Sequence, residues 1–376
     1  MNKIMLIVLA VAMIVILISL IMLLNIFHTP SAEISPTTSK PLSNVLLQGA
    51  GSSLVYPQLN EWIQRFYTQS GIKISYQSVG SGAGLSMFFQ NVTDFACSDP
   101  PLSKDMWKRY EGRVMQIPWL AGPVAIIYNI PELPKDAELK LDANILAGIY
   151  NGSIVYWDDD QIKMLNPDIA NMLPHKEIIP VYRTDASGTT EIFTTFLYKA
   201  TNGAWSRDLV GKTVNWPVAA TGRGIGGKGS EGVTQTVIQT PYSIGYVEWS
   251  YAILNNLPTA SIKNAAGRFV KPSEKSVAEA LANVNIPQSP LDDFSNIVFE
   301  SVYAPGDNSY PITAVTHIVL WKKYQDSSKA LALAKFLRWV VDEGYNNIIQ
   351  GYVAPPQKIK NLLLEAANIL EKQVAS

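Results

Sequence analysis

Three turns built from small, hydroxyl-bearing residues are the places where this chain could grip a ligand. They are Gly49-Ala50-Gly51-Ser52-Ser53, Gly80-Ser81-Gly82-Ala83-Gly84 and Arg183-Thr184-Asp185-Ala186-Ser187-Gly188-Thr189. Small residues let a backbone come close to a bound group. Serine and threonine cap the helix that follows and can also offer a hydroxyl donor. The free N–H groups and the positive end of the helix dipole then favour an anion. One strand–glycine–serine–helix junction is ordinary structure. Three of them, with a single arginine beside the third, point to a small oxyanion held mainly by neutral donors, with Arg183 supplying the one full positive charge.

The elements that must position these turns follow from hydrophobic periodicity. Residues 44–48 form a short strand-like run before the first turn. After it, Leu59, Trp62, Ile63, Phe66 and Tyr67 recur at i, i+3, i+4, i+7 and i+8, one face of a helix. Ile72, Ile74 and Tyr76 alternate as in a half-buried strand and lead into the second turn, and the apolar helical stretch 85–89 follows. Residues 178–182 deliver the third turn, with Ile192, Phe193, Phe196 and Leu197 at helical spacing beyond it. The pattern is α/β, and 376 residues favour two domains or one large unit.

Composition excludes several classes. Lys plus Arg is 30 and Asp plus Glu is 31, a net charge of −1, which argues against a nucleic-acid partner. The single cysteine, Cys97, leaves no intrachain disulfide, Cys-based zinc site or iron–sulfur cluster. His28, His175 and His317 lie far apart, so neither metal nor cofactor is expected.

The N-terminus carries a separate message. Residues 4–27 are 24 uncharged positions, interrupted only by Ser19 and Asn25. A membrane core needs roughly 20 apolar residues as a helix, and a cleavable signal has about 7–15. Residues 1–27 therefore read as an uncleaved signal-anchor transmembrane helix, with a long removed signal peptide as the alternative. Lys3 before the span puts Met1 in the cytoplasm and the globular part outside it. Residues 28–43 read as an extended linker, since ten of the fifteen residues 29–43 are Pro, Ser or Thr. Asn91-Val92-Thr93 and Asn151-Gly152-Ser153 fit the N-glycosylation pattern, consistent with an exterior location.

Longer segments carry a family resemblance: GAGSSLVYP at 49–57, YQSVGSGAGL at 76–85, DFACSDPPLS at 94–103 and VYRTDASGTTEIFTTFL at 181–197. Further matches are YWDDDQIKMLNP at 156–167, GGKGSEGV at 226–233 and YSIGYVEWSYA at 242–252. In this order and combination the chain resembles the phosphate-binding proteins that serve ATP-driven (ABC) phosphate importers. The resemblance implies an α/β, two-lobed periplasmic-binding-protein-like (type II) clamshell, preceded here by the transmembrane helix. Lobe 1 would take residues 44–130 plus 317–376 and lobe 2 residues 131–316, with crossings near 129–131 and 313–317. The helical stretch 330–341 returns to lobe 1. Inorganic phosphate would be clamped between the lobes, and the closed monomer would dock on a membrane permease whose paired ATPases power uptake.

Carried across by the same resemblance, the phosphate ligands fall on Ser53, Leu54, Ser81, Asp99, Arg183, Asp185, Ser187, Gly188 and Thr189. Ser53-Leu54 stands where the family has Thr-Phe; serine keeps the hydroxyl, and the Leu54 contact would be its backbone N–H. Ala186 replaces a family glycine, which would cost about 1 kcal/mol or more at a positive-φ position. A carboxylate beside an anion is costly unless the anion brings a proton to donate. Asp99 would therefore accept from a phosphate P–OH and leave sulfate facing an unpaired acceptor. Capping of the following helix is the plainer role for that residue. Asp185 would orient the Arg183 guanidinium.

Two rival classes share parts of the pattern. A secreted phosphatase would need an activated nucleophile or metals, yet Ser187 has no evident histidine partner. A binding protein or surface sensor for another tetrahedral oxyanion would share nearly every feature. Gly222 to Gly227 fits GxGxxG and Gly222 to Gly229 nearly fits a P-loop, but no clean buried strand precedes them and Gly229 stands where a magnesium-holding hydroxyl belongs. Asp158-Asp159-Asp160 reads as a helix cap and solvated turn, Cys97 as a buried small side chain and His317 as part of a strand. Trp62 and Trp249 read as core or lobe-surface residues.

Overall fold

A computed structural model describes residues 42–282 and 284–375, together with Met13. The predicted transmembrane helix and nearly all of the linker lie outside the described residues. Among the described residues no helix is long and apolar enough to cross a membrane. The globular unit spans 41–376.

Its strands are β1 (Leu46–Gly51), β2 (Lys73–Ser78), β3 (Phe95–Ser98), β4 (Val114–Tyr128), β5 (Lys140–Leu141), β6 (Ile179–Arg183), β7 (Ile225–Gly227), β8 (Ser243–Glu248), β9 (Ser261–Lys263), β10 (Phe269–Val270) and β11 (Thr313–Trp321). Eight of them form one mixed sheet in the order β2-β1-β3-β11-β4-β8-β6-β7; the other three pair as β10-β9-β5. At one end β1 runs parallel to β2 and β3, and at the other β6 runs parallel to β7 and β8. The two parallel wings meet through β4 and β11, which are antiparallel. All fifteen residues of β4 and all six of β8 are buried. Such unbroken burial belongs to strands covered on both faces.

β4 serves both wings. From Val114 to Pro123 it pairs with β11, and from Val124 to Tyr128 it pairs with β8. The register of β11 slips between Thr316 and His317, so Trp119 has no partner opposite it. Its indole packs edge-on to Trp62 at 5.5 Å and to Phe336 at 6.4 Å. In the other wing Phe193 stacks on Tyr246 at 4.5 Å, with Tyr150 edge-on to Phe193 at 5.1 Å.

The helix Tyr56–Ser70 follows the first turn, but its buried face is rotated from the predicted stripe. Tyr67 is 48% exposed, and Gln58 is fully buried in its stead. Gln58 earns that place by its amide, which donates to Asn347 O at 3.1 Å and accepts from Ile349 N–H at 2.8 Å. The helix Ser327–Asp342 covers the predicted C-terminal stretch, and a second helix, Gln357–Ala375, packs along it.

Candidate functional site

Each of the three small-residue turns does join a strand to a helix. β1 leads through Ser52 and Ser53 to the helix Tyr56–Ser70, β2 leads to the helix Ser81–Phe89, and β6 leads to the helix Gly188–Ala200. A fourth junction joins them, from β7 to the helix Gly229–Gln239. Two of these turns belong to one wing of the sheet and two to the other, and they meet across the cleft. Gly82 N–H donates to Ala186 O at 2.9 Å, and Ser230 N–H donates to Ser53 Oγ at 3.1 Å. The wings are closed on each other.

The predicted residues converge there, every one of them buried or nearly so. Asp99, 1% exposed, lies in the loop after β3. Its Oδ1 accepts from Ser52 Oγ–H, its Oδ2 accepts from Thr189 Oγ–H at 3.4 Å, and its N–H donates to Ser81 Oγ at 3.3 Å. It does not cap the next helix: Ser103 does, accepting from Met106 N–H at 3.3 Å. Because Ser81 Oγ accepts that N–H, its own proton stays available. Gly188 faces the same space, since a Cβ there would lie 2.6 Å from Ser81 Oγ and 2.8 Å from Asp99 Oδ2.

Arg183 ends β6 and is held by a two-point fork to Asp185, Nε to Oδ1 at 2.7 Å and Nη2 to Oδ2 at 2.5 Å. That geometry fixes the guanidinium plane. Nη1 is turned toward the cleft, 3.4 Å from Thr189 Oγ1 and 3.5 Å from Ser230 Oγ. Asp185 Oδ1 also accepts from Gly229 N–H at 3.0 Å, tying the third turn to the fourth.

Burial alone would raise the Asp185 carboxyl, but the Arg183 bond and charge and the Gly229 N–H outweigh it and hold it low. Arg183 is pushed down by burial and raised more by Asp185, so it stays charged. Asp99 has weaker support. Burial pushes it up to about 6, against the lowering effects of the Ser52 bond, Arg183, Lys212 and Thr189.

Ser187 acts within its own turn: its Oγ accepts from Thr190 N–H at 3.1 Å and caps the helix Gly188–Ala200. Leu54 N–H donates to Ser52 Oγ at 2.9 Å, and Leu54 O accepts from Tyr352 OH at 2.5 Å. Ala186 is absent from the residues with positive φ, so replacing glycine there brings no left-handed strain. The residue that sequence reasoning missed is Ser230. The signal is present in Gly226-Gly227-Lys228-Gly229-Ser230, another strand–glycine–serine–helix junction, a stretch that carries the family resemblance and nearly fits a P-loop but is not read as a fourth turn.

The remaining candidates take structural places. Asp159 caps the helix Asp160–Leu165, and Asp158 pairs with His175 at 3.0 Å. Cys97 is buried in β3, and His317 is buried edge-on to Phe294 at 6.2 Å.

The cleft gathers hydroxyl donors, one guanidinium whose charge Asp185 balances, helix N-termini from both wings, and one carboxylate acceptor. This donor-rich closed pocket between two wings suits a small oxyanion that carries a proton.

Fold and pocket together define a two-lobed, periplasmic-binding-protein-like α/β solute receptor, and the family model described as PBP superfamily domain matches residues 31–343. The phosphate-binding protein PstS of Methanocaldococcus jannaschii is 39% identical over 350 residues, covering 90% of this chain and 89% of that one. The phosphate-binding protein PstS of Haemophilus influenzae is 36% identical over 299 residues, covering 79% and 85%. The chain belongs to the PstS family of phosphate-binding proteins within that superfamily. Among solved structures, a high-affinity periplasmic phosphate-binding protein (PfluDING) bound with phosphate shares the fold with a TM-score of 0.67 at 22% identity, covering 84% of this chain and 92% of that one. An ABC-type phosphate transport receptor from Vibrio cholerae shares it at 0.52 and 16%, covering 82% and 100%.

Proposed function

We propose that the protein captures inorganic phosphate between its two lobes outside the cytoplasm and delivers it to an ABC permease, doing no covalent chemistry on it. One observation carries the reading: a buried acceptor, Asp99, set among the donors of Ser53, Ser81, Arg183, Thr189 and Ser230. A protonated oxyanion satisfies that mixture, and a fully deprotonated one leaves Asp99 opposed. Arg183 supplies charge, Asp185 holds it in plane, and Ser187 and Gly188 shape the helix end that approaches the ligand. Leu54 contributes backbone, its N–H exchanging Ser52 Oγ for the anion.

The lobes comprise 44–130 plus 317–376, and 131–316. The change of partner in β4 between Pro123 and Val124 supports a hinge a few residues before the first boundary. Closure pays its cost through contacts completed only when both lobes reach the ligand. Residues 1–27 anchor the monomer as a single-pass helix, and 28–43 let the globular part reach the permease.

Calorimetric titration of the full-length protein in detergent tests the reading. Phosphate should bind at about micromolar affinity or tighter, arsenate should compete, and sulfate should not. Equal competition by sulfate would make the protein a general oxyanion receptor. Turnover of a phosphomonoester would make it an enzyme. Either result overturns the proposal.

A further inference from the structure

Glu248 ends β8 at the point where β4 changes partner, opposite Val124, and it is fully buried. Its Oε1 has no hydrogen-bond partner. Its Oε2 accepts from Ser250 N–H at 2.9 Å and is also hydrogen bonded to Ser250 Oγ. Ser250 Oγ lies 3.2 Å from Tyr352 OH, which in turn is 2.5 Å from Leu54 O in the first anion-binding turn.

The protons along this row can be counted. A carbonyl oxygen has none, so the hydroxyl proton of Tyr352 is committed to Leu54 O. The contact between Ser250 and Tyr352 then uses the proton of Ser250. Ser250 Oγ has none left for Glu248, and their contact needs a proton from the carboxyl. With Glu248 ionised, one link in the row would set lone pair against lone pair. A neutral acid also explains the bare Oε1, because an unpartnered acid carbonyl costs far less in the interior than an unpartnered carboxylate oxygen.

We propose that Glu248 is a positioning residue, protonated in the closed protein, that heads an ordered relay through Ser250 and Tyr352 to the Leu54 carbonyl and so locks the first phosphate turn from the hinge. The inference rests on the first turn being part of the phosphate site.

The surroundings favour the neutral form. Ser250 and Tyr251 face Glu248 from the helix Trp249–Leu254, Tyr352 from the C-terminal segment, Asp99 from the loop after β3, and the backbone of Gly122 from β4. Burial pushes the carboxyl up to about 8 and the Asp99 charge adds to this, against the Ser250 bonds and the nearby Tyr352 hydroxyl. The relay is complete below that value and is lost as pH rises through it.

Phosphate affinity is measured by calorimetry on the full-length protein and on Glu248→Gln, from about pH 6.5 to about pH 9.5. A glutamine amide donates to Ser250 Oγ as the neutral acid does and cannot ionise; its nitrogen forgoes the bond that Oε2 accepts from Ser250 N–H, a loss that does not change with pH. Dividing the variant's affinity by that of the unaltered protein cancels the ionisation of phosphate and of Asp99. The ratio should hold level near neutral pH and climb about threefold or more above that level by about pH 9. Tyr352→Phe, which removes only the hydroxyl, should weaken binding about tenfold near neutral pH and erase the excess alkaline loss. A ratio that stays flat overturns the proposal, as does Tyr352→Phe binding like the unaltered protein. If Glu248→Gln does not fold, Tyr352→Phe decides alone by the same two readouts. Arg183→Ala serves as the control for the pocket: unchanged binding there would refute the site, whereas a flat ratio with Arg183→Ala inactive refutes the relay alone.

Discussion

Asp99→Asn offers the sharpest test of how the pocket selects its ligand. An ionised Asp99 can accept from the P–OH of hydrogen phosphate, whereas sulfate brings no proton near neutral pH. Sulfate can enter only after Asp99 has itself taken one up. Burial holds this carboxyl at about 6, so at about pH 7.5 the uptake costs about 2 kcal/mol, or about thirtyfold in affinity. The direction with pH follows. Sulfate binding should strengthen about tenfold for each unit of acidification and level off once Asp99 is protonated below about pH 6. In Asp99→Asn the penalty vanishes, and sulfate should bind about thirtyfold more tightly at about pH 7.5 with no residual slope. Phosphate should weaken in the same variant by about 1.5–3 kcal/mol, the worth of a hydrogen bond to a charged acceptor. Competition titrations of sulfate against phosphate across pH read both effects. A sulfate affinity that ignores pH in the unaltered protein, or unchanged selectivity in Asp99→Asn, would show that the carboxylate does not discriminate.

Three further outcomes follow from the geometry. Arg183→Ala removes the one full positive charge and leaves Asp185 buried without its fork; phosphate affinity should fall by about 3 kcal/mol or more, measured by calorimetry. Gly82→Val places a Cβ 2.5 Å from the Ala186 Cβ across the cleft. It should wedge the lobes apart and cost about tenfold or more in affinity, with a larger radius of gyration in X-ray scattering and an unchanged melting temperature; a compact variant that binds normally would contradict this. Trp62→Ala removes a fully buried ring packed on Trp119 and Tyr345, whose Nε1–H donates to Gly344 O at 2.9 Å. It should lower stability by about 3–5 kcal/mol in denaturant titrations.

The turns were legible because strand, small residues and helix leave a local signature. Arg183 and Asp185 stand two apart, and that spacing alone suggests their fork. Ser230 was harder to see, because its stretch matches the family and nearly fits a P-loop without standing out as a fourth turn. Glu248 could not be seen at all: nothing local distinguishes a carboxylate bound for the interior from one bound for solvent. Its fate is set by β4, β8 and the C-terminal segment meeting around it. Gln58 and Tyr67 exchange roles for a similar reason, since periodicity predicts a face to within a residue or two while a distant backbone, at Asn347 and Ile349, decides which side chain it accepts. The double use of β4 was also invisible, because its fifteen buried residues carry no mark where one partner gives way to the next.

The insertion of β11 between β3 and β4 has a consequence for biogenesis. These two strands are adjacent in sequence but not in the sheet, and the one that separates them is the last of the described strands to be made. Until it arrives, the N-terminal wing exposes two open, strongly apolar borders to any neighbouring chain. A nascent chain stalled before Thr313 should therefore be prone to aggregate, and the last strand of the sheet acts as its keystone.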